Sequence, residues 1–287
     1  MNGIASSSLL MIRRIFAHPM GRVGGSIVLF FLVVALFVPL LAPFDPAFQD
    51  ADNELVPPDL THWLGTDQFG RDVLSRVLYA SQAAIIVGCT ASILGGSVGV
   101  LVGLLAGYFQ SWVDTLAMRA ADMILAFPGL LVALLFVIVL GPGLLTVSVA
   151  LAIASTPIFA RITRASVLQI KQREYVLAAI QFGSPTGWIM RQHLLRNCAS
   201  PIIVQASLII GISVLAESGL SFLGLGIQPP TASWGLMLNE SRGFLYDAPW
   251  LALAPGFALS LFLIGLVFLS DALRDILDVG DLVEAGR

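Results

Sequence analysis

Long uncharged runs alternate along this chain with short charged intervals. Residues 23–44 form a run of 22 without a charge, 77–113 a run of 37, and 123–160 a run of 38. A helix needs about 20 apolar residues to cross the hydrocarbon core of a bilayer. The first run therefore predicts one span. In the second, the continuous apolar part covers roughly 83–107. The third is interrupted by Gly141-Pro142-Gly143. Proline lacks the N–H a helix interior needs and glycine favours irregular backbone, so this run is expected to form two helices joined by a tight loop. A fifth span follows Arg196 and ends near Glu217, and a sixth runs from about Trp250 to Ser270. The divisions implied are a segment 1–22, an anchor span 23–43, a loop 44–82, a core 83–272 with five spans, and a tail 273–287. Six spans place both termini on one side.

Composition agrees with a membrane chain. Hydrophobic residues make up 57% and charged ones 11%, against about 25% charged in soluble domains. The basic residues choose a side. Arg13, Arg14, Arg22, Arg119, Arg161, Arg164, Lys171, Arg173, Arg191, Arg196, Arg274 and Arg287 fall in intervals that share one side of six spans. Only Arg71, Arg76 and Arg242 fall on the other. Positive residues favour the cytoplasm, so both termini are expected there, in the inner membrane of a bacterium. The first span is too long for the apolar region of a typical signal peptide, and Pro43 follows it, so it is expected to stay as an anchor. One lysine and a formal net charge of −3 exclude a nucleic-acid binder with a basic face.

Little in the chain suggests bond chemistry. Cys89 and Cys198 form no CxxC pattern. His18, His62 and His193 fall on two sides of the membrane, which leaves no metal site. There is no HExxH, no Ser-His-Asp set and no GxxxxGK[ST], so any ATP must be bound by another chain. A membrane-embedded enzyme is disfavoured and no catalytic residue is assigned.

Residues 173–183, "REYVLAAIQFG", lie in the most basic interval. Residues 161–196 carry Arg161, Arg164, Lys171, Arg173, Arg191 and Arg196 against the single acid Glu174. Tyr175, Ala178, Ala179 and Phe182 recur at i, i+3, i+4 and i+7, one face of a helix. Gly183 suits the left-handed residue after a last turn. Ser184-Pro185 reads as the cap and first residue of a second helix, to about Leu195. The two-helix loop, about 165–198, either receives a partner on its alanine-floored face or lies on the inner leaflet with its arginines on lipid phosphates.

At these residues the chain resembles integral-membrane subunits of ABC importers. Their cytoplasmic loop reads Glu-Ala-Ala, three residues, Gly, nine residues, Ile-x-Leu-Pro. Ala178, Ala179, Gly183 and Leu195 hold that spacing, while Leu177, His193 and Arg196 stand at the Glu, Ile and Pro positions. "HWLGTDQFGRDVLSRVLYAS" (62–81), "ESGLSFLGLGIQPPTASWGLML" (217–238) and "SDALRDILD" (270–278) narrow the resemblance to the second ("C") permease subunit of oligopeptide, dipeptide and nickel importers, over nearly the whole chain after about residue 10. The resemblance implies an all-α, type I importer permease fold and a loop that acts as a coupling helix. Arg173, Glu174, Tyr175, Ala178, Ala179 and Gly183 would contact one of two ATPase subunits that bind ATP and Mg. It also implies a paired homologous permease, an extracytoplasmic substrate-binding protein and a peptide cargo, with nickel or another small solute as the alternative.

Other stretches keep two readings. Gly95, Gly99, Gly103 and Gly107 line one helix face and allow close helix packing, either within this chain or at a seam with the paired permease. Asp67, Arg71 and Asp72 could pair locally in a solvated outer segment, or help receive the binding protein. Glu217 is a boundary acid, with Ser221 and Phe222 following it. It marks a pathway or outer gate, or reaches the outer interface. Asp114, Arg119 and Asp122 flank the third span, and Asp271, Arg274, Asp275 and Asp278 close the sixth. A self-sufficient secondary transporter or channel would need intramembrane charges and an internal repeat; no repeat is evident.

Overall fold

A computed structural model describes residues 13–285, with side chains through Leu277. Segment 1–12, Asp278 and Arg287 therefore lie outside the described side chains. Five helices are long and apolar enough to cross a membrane: α1 (Pro19–Leu41), α2 (Val73–Phe109), α5 (Leu144–Ile170), α8 (Ala199–Phe222) and α10 (Trp250–Ala285). Two shorter helices, α3 (Trp112–Leu125) and α4 (Gly129–Leu140), pass the same test together, bent by 85°, and bring the number to six when counted as one broken span. Shorter helices include α6 (Glu174–Gln181) and α7 (Thr186–Ile189) at one end of the bundle and α9 (Trp234–Glu240) at the other. Among the described residues no strand forms, only an isolated bridge between Thr66 and Asp72.

The break at Gly141–Gly143 falls where expected, between α4 and α5. A second one was not expected. Pro128, itself extended at ψ 130°, stands before α4 as its cap, and a proline disfavours helix at the residue before it. The 12 residues of α4 rise only about 18 Å, short of a core of about 30 Å, so the span needs α3 as well. Two helices also extend beyond the spans read from the sequence. α2 is helical from Val73, well before residue 83, and α10 continues beyond Ser270 to Ala285.

Glycine sets the main seam. A Cβ on Gly95 would sit 2.6 Å from the Ala152 carbonyl oxygen of α5, and one on Gly107 2.8 Å from Val167 Cβ. Gly99 and Gly103 face the Thr156 and Ala160 carbonyls more closely still. The stripe thus packs within this chain, backbone against backbone. Gly24 of α1 meets α10 the same way, where a Cβ would lie 2.5 Å from Leu269 N.

Backbone accounting explains one polar contact between spans. Pro39 cannot donate to the Ala35 carbonyl one turn earlier. In lipid an unpaired carbonyl is costly. Gln82 Nε2 of α2 supplies the missing donor at 2.8 Å.

The outer surface is apolar: Leu36, Leu40 and Val139 are among the most exposed side chains. The interior holds a cluster around Phe31, Trp234 and Phe262, whose rings meet edge-on at 5.1–5.8 Å. Such an inside-out surface needs lipid around it.

Candidate functional site: a two-helix projection and the opposite platform

The basic end of the bundle carries the projection. α6 begins after Arg173, with Glu174 in its first turn, where a carboxylate suits the helix dipole. It stops at Gly183, whose φ is +72°. Gly183 N–H donates to the Ile180 carbonyl and Ser184 N–H to that of Ala179, both at 3.0 Å, which is the paired-bond stop a left-handed glycine permits. α7 starts at Thr186 with Pro185 as its cap, one residue later than the sequence suggests. It continues as a π-helical stretch, Met190–Leu195.

Because Arg196 stands where a proline would break the backbone, the chain stays helical through it. Cys198 N–H donates to the Leu194 carbonyl at 2.9 Å. The projection therefore runs into α8 almost without interruption. Its other root is α5, pinned by Lys171 Nζ, which donates to the Tyr108 carbonyl at 2.6 Å.

The projection has an inside and an outside. Val176, Ile189, Leu194 and Cys198 are buried against Leu104, Val167 and Ile170. Burial in this cluster pushes the Cys198 thiol up to about 11. Ala179 packs against the same cluster, so the predicted face is divided: Ala178 is half-buried, while Tyr175 and Phe182 are exposed, Phe182 by 89%. Leu177, Ile180 and Trp188 are exposed beside them. His193 sits between Trp188 and Tyr175, with ring centroids 4.8 and 5.5 Å away. Nearby, Arg164 donates to Asp114 at 2.6 Å and Arg161 to Asp122, tying α3 to α5. Asp275 of α10 meets His18 Nε2 at 3.5 Å. Helix-end charges read as interfacial thus pair between elements.

The acidic end is built differently. Asp67 accepts from Arg71 Nε at 2.7 Å and from Arg76. Glu240 of α9 accepts from Arg71 Nη2 at 3.1 Å and Arg76 Nη2 at 2.8 Å. Two arginines and two carboxylates close a ring, with Asp67, Arg71 and Arg76 buried. The Asp67–Arg71 pair was legible in the sequence; Arg76 and Glu240 were not, because nothing in local spacing joins residues 164 apart. Asp72 caps α2, accepting from Ser75 N–H at 2.8 Å, and also meets His62 Nδ1 at 2.9 Å.

Glu217 is 1% exposed and does not reach the interface. It accepts from Ser221 Oγ at 2.6 Å, and Ser221 Oγ accepts from Ile227 N–H at 2.9 Å. The carboxyl thus anchors the loop after α8. Phe222 is the exposed member of the trio. Its carbonyl accepts from Asn239 and Arg242, and the Arg242 guanidinium lies 3.7 Å over its ring. Among the described residues no His, Cys, Asp and Glu group could hold a metal.

Six apolar spans and a rigid helical projection at the basic end define a multi-pass membrane component. Residues 99–280 match the model of binding-protein-dependent transport system inner membrane components, and 8–58 that of the N-terminal TM domain of oligopeptide transport permease C. The chain belongs to the first of these families, as a C-type permease subunit of an ABC transporter. It is 41% identical over 256 residues to the dipeptide transport system permease protein DppC of Alkalihalophilus pseudofirmus, covering 89% of this chain and 84% of that one. To the di/tripeptide permease protein DppC of Pseudomonas aeruginosa it is 40% identical over 270 residues, 92% and 89% of the two chains. To the glutathione permease protein GsiD of Escherichia coli O1:K1 it is 42% identical over 267 residues, 93% and 88%.

Proposed function

We propose that this chain forms half of the translocation pathway of an ATP-driven importer of di- or oligopeptides. The basic end faces the cytoplasm of a bacterial inner membrane and the acidic end faces outward. The chain itself catalyses nothing. Two partner ATPase subunits bind ATP and Mg, one of them gripping the projection. A paired homologous permease forms the other half of the path, and an extracytoplasmic binding protein delivers the solute. Peptide cargo is favoured because the relatives named above carry dipeptide, di/tripeptide and glutathione in their names.

The observation that carries this reading is the divided projection. Its inner face is fixed to α2 and α5, while Tyr175, Phe182 and Trp188 stand out uncovered. A rigid apolar knob on an aqueous side suits a cleft in a partner. Rooted in both α5 and α8, it moves two spans together. Nucleotide can drive this only by binding differently to the inward- and outward-open states. At the far end of α8, the Glu217–Ser221–Ile227 links hold the outer lip that Phe222 shapes.

Phe182→Ser tests the docking. Burying a phenylalanine contributes about 1.5–3 kcal/mol, so ATPase affinity should fall roughly 10–100-fold, with the chain still inserted. Undiminished ATPase co-purification and peptide transport would overturn the proposal.

A further inference from the structure

Toward the basic end Gly24 and Gly265 bring the backbones of helices α1 and α10 together, and a Cβ on Gly265 would lie 2.6 Å from Ile27 Cγ2. Farther along, larger side chains stand between them, with the Phe31 and Phe262 rings meeting edge-on at 5.1 Å. The gap between them, floored by α2, is a slot of about 510 Å³. Phe31 and Val34 line one wall, and Ala254 and Ala258, one turn apart on α10, keep the other wall low. Phe30 and Phe257, exposed to the surroundings by 57% and 71%, form the rims.

The slot makes no polar demand. Ser81 Oγ, on its floor, donates to the Leu78 carbonyl at 2.5 Å. Its mouth is at Leu64 and Trp250, and the Trp250 indole N–H donates to the Thr66 carbonyl at 3.3 Å. An amphipathic indole at that level is the usual marker of a membrane boundary. From Trp250 to Leu261 the slot follows α10 for about 17 Å. That is close to half of a hydrocarbon core of about 30 Å. The slot therefore has about the depth of one leaflet, and it opens sideways between the exposed rims of Phe30, Leu253 and Phe257.

We propose that this slot holds one acyl chain of an outer-leaflet phospholipid, which completes the packing of α1 against the bundle. A helix of the paired permease, about 10 Å across, would fill roughly 1,300 Å³ over the same length, more than the 1130 Å³ of empty space in and over the slot. An extended hydrocarbon chain is far thinner, and the slot is continuous with the surface the bilayer already covers. Assignment to the outer leaflet rests on the orientation proposed above; occupancy by a lipid chain does not.

Native mass spectrometry of the assembled complex, washed in detergent after extraction from the membrane, tests the proposal by counting retained phospholipid. Wild type should keep one phospholipid per copy of this chain that Ala254→Phe, which fills the slot, has lost. Phe257→Ala removes an exposed rim and leaves the buried core intact, so it should lose the same lipid even if Ala254→Phe assembles poorly. Equal lipid counts in wild type and Phe257→Ala would overturn the proposal, as would no retained lipid in wild type. So would efficient disulfide cross-linking of Phe257→Cys to cysteines on the paired permease. None of these outcomes bears on ATPase docking.

Discussion

The two ends of the bundle treat polar and apolar groups in opposite ways. At the basic end the projection leaves Tyr175, Phe182 and Trp188 uncovered, with Arg173 and Arg191 exposed around them. At the acidic end two arginines are hidden in a ring with Asp67 and Glu240. One end leaves apolar side chains uncovered; the other is closed on itself. An exposed apolar knob gains free energy only on docking. A buried ring of charges fixes where its elements sit and gains little from anything outside. The proposed coupling surface and the fixed frame thus differ in what each leaves unsatisfied.

The sharpest way to break the comparison is at the ring. Glu240→Ala would leave Arg71 and Arg76 sharing a single carboxylate in a buried site. Breaking a buried pair this way costs about 3–5 kcal/mol. The expected outcome is a large fall in folded protein, read as thermal aggregation of the detergent-solubilised complex. Replacing Arg76 by Met together with Glu240 by Leu should recover part of it. Phe182→Ser at the opposite end should lower ATPase affinity without moving that melting curve. If both variants shifted stability equally, the contrast between a closed end and an open one would fail.

Gly183→Ala probes the projection more gently. No atom lies within 4 Å of where the new Cβ would stand, so only the left-handed backbone opposes it. That strain costs about 1–2 kcal/mol. ATPase coupling should weaken severalfold while global stability stays near wild type, because Gly183 itself sits in open space outside the packed face of the projection. Glu217→Gln should be milder still. The amide oxygen can still accept from Ser221 Oγ, whereas Glu217→Ala removes the acceptor and should raise protease sensitivity in loop 223–233.

Much of this organisation is legible in the residues, for identifiable reasons. Uncharged runs mark spans because lipid tolerates few charges, and Gly183 marks a helix stop because its φ is positive. Charges satisfied at long range were less legible. Asp72 and Arg76 are both paired, and α2 starts between them, ahead of the apolar part at 83–107. Pro128-Gly129 carried a break signal too, but near the start of the same uncharged run it reads equally as the beginning of a helix. Helical periodicity grouped Tyr175, Ala178, Ala179 and Phe182, yet period cannot say which edge of a stripe faces inward. Ala179 turned in because Val176, Ile189 and Leu194 gather beneath it.

The smallest effect expected is a labelling rate, and it decides which way the two ends point. Cys198 is buried, and burial raises its thiol to about 11. The thiolate is the reactive form. At pH 8 only about a thousandth of the Cys198 thiol would be ionised, and maleimide labelling should climb only as pH approaches 11. With Cys89 replaced by Ala, the background is low enough for Phe182→Cys to report its own side of the membrane. An impermeant maleimide should label it in inside-out vesicles and not in intact cells. Labelling from outside would reverse the bundle, placing the exposed knob where no ATPase could reach it and the charged ring in the cytoplasm.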